Sequence, residues 1–391
     1  MLLKYSFNNF CSFWGENEFC VESAQGKVIK RYPDNYVVGE CGCNPLKTMV
    51  IVGENAGGKS NFIRSIRFFK SLFAENSKVK TVDVYINMAS FSKEKKPQQL
   101  FEVEFIPDRK LIYRYRLVID SLGIVSEGLY YRSKRKSRET VELEYFRDAE
   151  DPKAIFRGKA IQEYPMLSTK AVQNIGLFTA KLALLGNDHA NILVDWVNNR
   201  LAVSSVVDEP RNLIRQQADL EILKDPKYVD ILRMVDYSIC GIELDEENPY
   251  SKTLIIRMDQ NGRQYKRELQ MDSSGVKEFF AWAVQLYRVV YENKVIFADE
   301  MDRVLNPVLS ERVVAYINGK DHSGQFIFTT HNVLHLNLIT YMKEQIYFVT
   351  KNRNTLVSEL YSLVDFPEVR YETTKIYEFY MKGILGGTSD E

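Results

Sequence analysis

The residues best equipped for chemistry are a lysine and a serine standing behind three glycines. Met49 to Ser60 reads MVIVGENAGGKS. Met49 to Val52 is a short apolar run of the kind that forms a buried strand. Gly53, Gly57, Gly58, Lys59 and Ser60 then follow at the spacing G-x-x-x-x-G-K-S, and Asn61, Phe62 and Ile63 open a helical pattern. That spacing is a phosphate-binding loop. Its glycines let the backbone wrap a phosphate with N–H groups pointing inward, a conformation that side chains would obstruct. Lys59 is placed to neutralise the β- and γ-phosphates, and Ser60 to give a hydroxyl to Mg²⁺. Glu54, Asn55 and Ala56 complete the loop, and Asn61 sits in the first turn of the helix whose N-terminus the phosphates would meet.

Three later stretches carry matching chemistry. Lys294 to Glu300, KVIFADE, is an apolar strand ending in two carboxylates. Beside the loop strand, Asp299 would reach the metal through Ser60 or water, and Glu300 would polarise an attacking water. Phe326 to Asn332, FIFTTHN, is a second apolar run, ending at His331. His331 reads either as a satisfied structural side chain or as a sensor of the γ-phosphate at the same polar edge. Met271 to Gly275, MDSSG, precedes a helical run in which Val276, Phe279, Phe280, Ala283, Leu286 and Val290 share a face. Ser273 and Ser274 are good helix caps. Equally, Ser274, the Gly275 N–H and the helix N-terminus could hold a phosphate.

The elements that must position these groups are legible in outline. Leu2 to Phe13 alternates as an opening strand, and from Val82 to about Phe146 the period is two, giving strands at Val82 to Ile86, Leu100 to Phe105, Leu111 to Ile119, Ile124 to Tyr131 and Val141 to Phe146. Patterning turns helical and mixed from Pro165 to about Ile239, and strand signals return at Thr253 to Met258 and Tyr265 to Leu269. The expected organisation is an N-terminal half of the core with a β-rich part over 1–164, a helical insertion over 165–250, and a C-terminal half of the core over 251–391. The fold class is α/β.

Composition narrows the partners. The 391 residues carry 52 Lys plus Arg against 52 Asp plus Glu, so no global basic field points to nucleic acid. The basic cluster Arg132, Lys134, Arg135, Lys136, Arg138 reads as a solvated hairpin tip or as a phosphate or partner contact. No apolar run is long enough to cross a membrane, and the N-terminus has no secretory core, so a cytoplasmic protein without a membrane partner is expected. Five cysteines fit a reducing compartment. Cys41 and Cys43, a C-x-C without a second Cys or His pair nearby, are a weak metal hint.

Taken together, FNNFCSF, GENAGGKSN, MDSSG, VIFADEMDRVLNP and FIFTTHN resemble the ABC/SMC-like branch of P-loop ATPases. More narrowly they are similar to the compact prokaryotic OLD/RloA/AbiL-type ATPases of phage-defence systems. The closing stretches QIYFVTKNRN, SELYSLVDF and YMKGILGG look like that family's last strand and its Tyr-x-x-Gly ending. The resemblance implies an ABC-type P-loop fold with an antiparallel β subdomain and a helical insertion. It implies ATP and Mg²⁺ as cofactors, Lys59 and Ser60 as the Walker A pair, Asp299 as the Walker B metal ligand and Glu300 as the catalytic base. His331 matches the switch histidine, and Ser273, Ser274 and Gly275 the signature that reaches the nucleotide of a second subunit. The chain departs from the family at Asn306, where the Asp-x-x-Leu-His-Pro element has His. Gln98 and Gln99 are positional candidates for a Mg²⁺-sensing glutamine.

The resemblance further implies a homodimer or higher oligomer that hydrolyses ATP and controls a separately encoded effector, a nuclease. The chain has no D-x-D pair for a fused Toprim nuclease, and none of its four His has an Arg in the seven positions before it, as HEPN ribonucleases require. The alternative is a RecF- or SMC-like DNA-repair ATPase. A transporter ATPase and a scaffold that hydrolyses little are the other classes that share this loop.

Overall fold

A computed structural model describes the chain except residues 24–25, 27, 40, 75–76, 78, 81–96, 109, 151–154, 169–175, 206–216, 302–305, 372–374 and 387–391. The strand expected at Val82 to Ile86 therefore lies outside the described residues, as do Asp302 to Leu305 of the DRVLNP element.

Two sheets are present among the described residues. The strands are β1 (Leu2–Phe10), β2 (Phe13–Cys20), β3 (Thr48–Val52), β4 (Gln99–Phe105), β5 (Ile112–Asp120), β6 (Gly123–Arg132), β7 (Thr140–Phe146), β8 (Phe156–Arg157), β9 (Leu201–Ser205), β10 (Ile239–Glu243), β11 (Leu254–Met258), β12 (Gln264–Glu268), β13 (Val295–Asp299), β14 (Gln325–Thr330), β15 (Ile346–Lys351) and β16 (Ser358–Ser362). The main sheet has 13 strands in the order β8-β7-β6-β5-β4-β1-β2-β16-β15-β3-β14-β13-β9, and β10-β11-β12 form a small one. From β15 through β3, β14 and β13 to β9 every pairing is parallel, and from β8 to β2 every pairing is antiparallel. The expected α/β fold, a P-loop core with an antiparallel β part, is what the sheet shows.

Why the central strands are apolar throughout follows from what covers them. Helix α1 (Lys59–Ser71) lies on one face of the sheet, where Phe62, Ile63, Ile66 and Phe69 pack with Met49, Ile51, Phe297 and Ile327. The other face takes a second buried group, to which Val50, Val52, Ile296, Ala298, Phe326 and Phe328 belong. Successive residues of a strand point to opposite faces, so a strand covered on both faces must be apolar at every position. Glu127, fully buried, holds the antiparallel part to α2 (Phe178–Leu184). Its carboxylate accepts from the N–H groups of Phe178 and Thr179 (2.8 Å each) and from the Tyr115 hydroxyl at 3.1 Å.

Two local expectations gain detail. The helical and mixed stretch from Pro165 to Ile239 includes strand, because Leu201–Ser205 forms β9, the outermost parallel strand, and Ile239 begins β10. Five residues are too few for periodicity to tell a strand from a helix. In the basic cluster, Arg132 binds Glu104 and Glu139, and Arg135 binds Glu104 and Glu22. These two arginines belong to an ion-paired sheet face rather than to a bare hairpin tip, while Lys134, Lys136 and Arg138 are exposed.

No helix among the described residues is long and apolar enough to cross a membrane. Cys41 and Cys43 are buried thiols packed with Leu3, Ile106 and Ile112, and burial pushes the Cys43 thiol up to about 12.

Candidate functional site

The loop strand β3, the acid strand β13 and the histidine strand β14 run parallel and release their chains at the same edge of the sheet. That edge is where open parallel sheets bind ligands. Here it carries a cleft of about 190 Å³ lined by Glu54, Asn55, Ala56, Gly58, Lys59, Ser60, Asn61, Glu300 and His331. Three segments that are remote in sequence thus converge on one cavity.

Gly53 and Gly57 are buried beneath the cleft. A β-carbon on Gly53 would lie 2.1 Å from the Val349 carbonyl oxygen of β15, so strand β15 itself forbids a side chain there. Gly58 has φ 122°, in the region that favours glycine, and Ala56 stands at φ 61°. These two left-handed residues fold the loop so that α1 begins at Lys59.

Helix α1 starts with neither a side-chain cap nor an acidic residue in its first turn. Its N-terminal end, with the positive end of the helix dipole, faces the cleft through Lys59, Ser60 and Asn61, an arrangement suited to an anion. Lys59 is buried, and its Nζ donates to the carbonyls of Gly53 (2.7 Å) and Glu54 (2.8 Å) while lying 3.3 Å from His331 Nδ1. A lysine ammonium already held in the loop is poised to exchange carbonyls for phosphate oxygens.

Asp299 ends β13 and is buried behind the cleft rather than lining it. The Thr329 hydroxyl donates to Asp299 Oδ1 at 2.6 Å and accepts from the Glu300 N–H at 2.8 Å. Glu300 has φ 53°, an uncommon left-handed conformation for glutamate. The turn it makes brings a glutamate into the cleft immediately after the buried aspartate. Neither Thr329 nor its bridging position was evident from sequence; its proximity to His331 in FIFTTHN was the available signal.

Helix α3 (Ser274–Tyr291) packs in the buried group on the face of the sheet opposite α1 through Phe279, Phe280, Trp282 and Leu286. Ser273 caps it by accepting from the Val276 N–H at 3.3 Å, so that serine is a cap as the residues alone allowed. Ser274 is exposed, and a β-carbon on Gly275 would meet open space. Ser273, Ser274 and Gly275 do not line the cleft of their own chain. Gln98 and Gln99 do not line it either; the buried Gln99 amide donates to the Asn9 carbonyl at 2.7 Å, in the register shift of β1. Asn306, at the family's histidine position, caps helix α4 (Pro307–Asn318) by accepting from the Leu309 N–H at 2.9 Å. Closing the chain, Tyr380 of α5 (Ile376–Met381) stacks on Phe348 with ring centroids 5.8 Å apart, and burial, reinforced by the Glu54 charge, pushes its phenol up to about 12.

An uncapped helix start, a buried lysine, a hydroxyl at Ser60 and two adjacent carboxylates form a donor set that fits a phosphate chain together with a divalent cation. Residues 49–337 match the protein family described as "AAA domain, putative AbiEii toxin, Type IV TA system". No curated protein matches the chain. Among solved structures, the SMC head domain from Thermotoga maritima is 16% identical with a TM-score of 0.43, over 92% of this chain and 98% of that one. An SMC head bound to the C-winged helix domain of ScpA is 14% identical at a TM-score of 0.49, over 92% and 97%. A Pyrococcus yayanosii SMC head with a coiled coil and joint is 12% identical at 0.44, over 97% and 99%. Likenesses at these levels carry no information about the site.

Proposed function

The chain belongs to that AAA-domain family of P-loop ATPases, and from this premise we propose that it binds and hydrolyses ATP between two copies of itself and thereby switches a separately encoded effector. The observation that carries the reading is the convergence of Lys59, Ser60, Glu300 and His331 on one cleft, with the start of α3 outside it.

Within the cleft, the loop N–H groups and Lys59 would bind and orient the phosphate chain. Ser60 and Asp299 would hold Mg²⁺, which when bound supplies charge neutralisation at the β- and γ-phosphates. Glu300 would take a proton from the attacking water, and His331, 3.3 Å from the lysine ammonium, would contact the γ-phosphate. Ser274 and Gly275 would reach the nucleotide of the second copy, so that the γ-phosphate bridges two chains and its loss separates them. A ligand shifts such an equilibrium only through contacts that differ between the two states, and the γ-phosphate supplies that difference.

The effector reading, a nuclease under control of an antiphage sensor, rests on the family resemblance. The RecF- or SMC-like alternative needs a basic surface. Arg132 and Arg135, the centre of the basic cluster, are engaged by Glu22, Glu104 and Glu139, which speaks against that cluster as a nucleic-acid patch.

Glu300→Gln tests the catalytic assignment. The variant is expected to bind ATP with wild-type affinity, to turn over about 100-fold more slowly, and to accumulate an ATP-dependent dimer in light scattering. Wild-type turnover would overturn it.

A further inference from the structure

Two serines from opposite ends of the chain grip the outside of the phosphate loop. Ser12 sits in the turn between β1 and β2, and Ser358 begins β16. Ser358 Oγ lies 2.6 Å from the Gly57 carbonyl oxygen and 2.7 Å from Ser12 Oγ, and Asn61 Nδ2 lies 2.7 Å from Ser12 Oγ. The Ser358 N–H donates to the Ser12 carbonyl at 2.8 Å. Both serines are buried.

Counting protons gives this cluster one direction. The Gly57 carbonyl can only accept, and the Asn61 NH₂ can only donate. The single Ser358 proton therefore goes to Gly57, and the single Ser12 proton goes to Ser358. The result is a one-way chain, Asn61 to Ser12 to Ser358 to Gly57, in which each bond polarises the next. It starts on the first turn of α1 and ends on the loop, so it closes a ring around the backbone that must hold phosphate. A β-carbon on Gly58 would lie 2.3 Å from Ser358 Oγ, which shows how tightly the ring is drawn.

Lys59 holds the same loop from inside, through the carbonyls of Gly53 and Glu54. That inner grip must be released when the ammonium turns to phosphate. We propose that Ser12 and Ser358 are positioning residues for nucleotide binding, an outer clamp that keeps the loop in its phosphate-ready shape when Lys59 lets go. The proposal rests on the ATP-binding reading given above. Neither hydroxyl touches the nucleotide in it; both act through the Gly57 carbonyl and the Asn61 amide.

The test compares wild type, Ser12→Ala, Ser358→Ala, the double variant and Lys59→Ala. MgATP affinity is measured by calorimetry, and amide hydrogen exchange over residues 53–61 is measured without nucleotide. Each serine variant is expected to weaken MgATP binding about 10-fold, and the double variant about as much as either single, because one missing link opens the ring. Exchange over 53–61 should rise in all three serine variants, while exchange over β15 and β16 stays at the wild-type level. Wild-type affinity and loop exchange in both single variants, multiplicative losses in the double, or faster exchange throughout β15 and β16 would each overturn the clamp. Failure of wild type and Lys59→Ala alike to bind MgATP would instead overturn the ATP-binding reading, and the exchange data would still decide whether the serines hold the loop.

Discussion

A buried aspartate followed by a glutamate in left-handed backbone needs something to hold both, and the Thr329 hydroxyl does so from the next strand. It has one proton, given to Asp299, and lone pairs, one of which receives the Glu300 N–H. Removing the hydroxyl leaves a buried carboxylate oxygen without that donor and frees the turn that sets Glu300. If Asp299 holds Mg²⁺ as proposed, Thr329→Val, which keeps the shape of the side chain, is expected to lower turnover by about 10- to 100-fold and to raise the Mg²⁺ concentration required, because the group that orients the ligand is lost. Titrating ATPase activity with Mg²⁺ checks it; a wild-type Mg²⁺ curve and rate would show that the bridge is idle. Lys59, Ser60, Asp299 and Glu300 were legible in the sequence as candidates, because phosphate and metal chemistry would demand those types next to glycines or at a strand end, and the fold brings three of them to one cleft with Asp299 buried behind it. Thr329 was not, because its partners are fixed by which strand lies beside β13, and sequence spacing does not carry that. Ser12 and Ser358 were invisible for the same reason at a separation of 346 residues.

Among the elements, the join between α4 and β14 is fastened by a histidine that has to stay neutral. His322 Nε2 donates to the Ile317 carbonyl at 2.8 Å, and its Nδ1 accepts from the Gly324 N–H at 3.0 Å. Burial lowers its pKa from 6.5 to about 4, with the nearby Lys47 charge acting in the same direction. Between about pH 4 and pH 6.5 the unfolded chain therefore binds a proton that the folded chain refuses, so stability increases with pH across this window and is lost as pH falls through it. The loss attributable to this ring is about 2 kcal/mol between pH 7 and pH 5. His322→Gln, which has an amide donor and a carbonyl acceptor but no charge to gain, is expected to flatten the urea-unfolding midpoint over that range; an equally steep profile would reject the assignment. Elements themselves were readable where length allowed. The two-residue alternation of β4 to β7 and the helical spacing of α1 span enough residues to declare a period. The five residues of β9 do not, and their strand state is imposed by pairing along β13, from Leu201 opposite Val295 to Ser205 opposite Asp299.

For the whole molecule, the decisive feature is that one chain holds the cleft lined by Lys59, Ser60, Glu300 and His331 and, outside it, a serine-glycine helix start that does not line it. The α/β class and the loop edge followed from apolar runs ending in polar groups. The continuity of parallel and antiparallel strands in one 13-stranded sheet did not, because β16 and β2 meet only through the pairing of Ser358 with Phe13. If the site is shared between two chains, activity should obey the arithmetic of mixed dimers. Lys59→Ala removes the phosphate lysine and Ser274→Arg blocks the helix start, so each variant alone should be inactive with both of its sites damaged. A mixed dimer has one site carrying both defects and one carrying neither. Equal amounts of the two variants, allowed to exchange subunits, should form mixed dimers half of the time and recover about a quarter of wild-type turnover. Were Ser274 to serve the cleft of its own chain, every site in the mixture would carry one defect and no activity would return. Measuring turnover against mixing ratio separates the two cases, since only a shared site gives a maximum at equal amounts and baseline at either end.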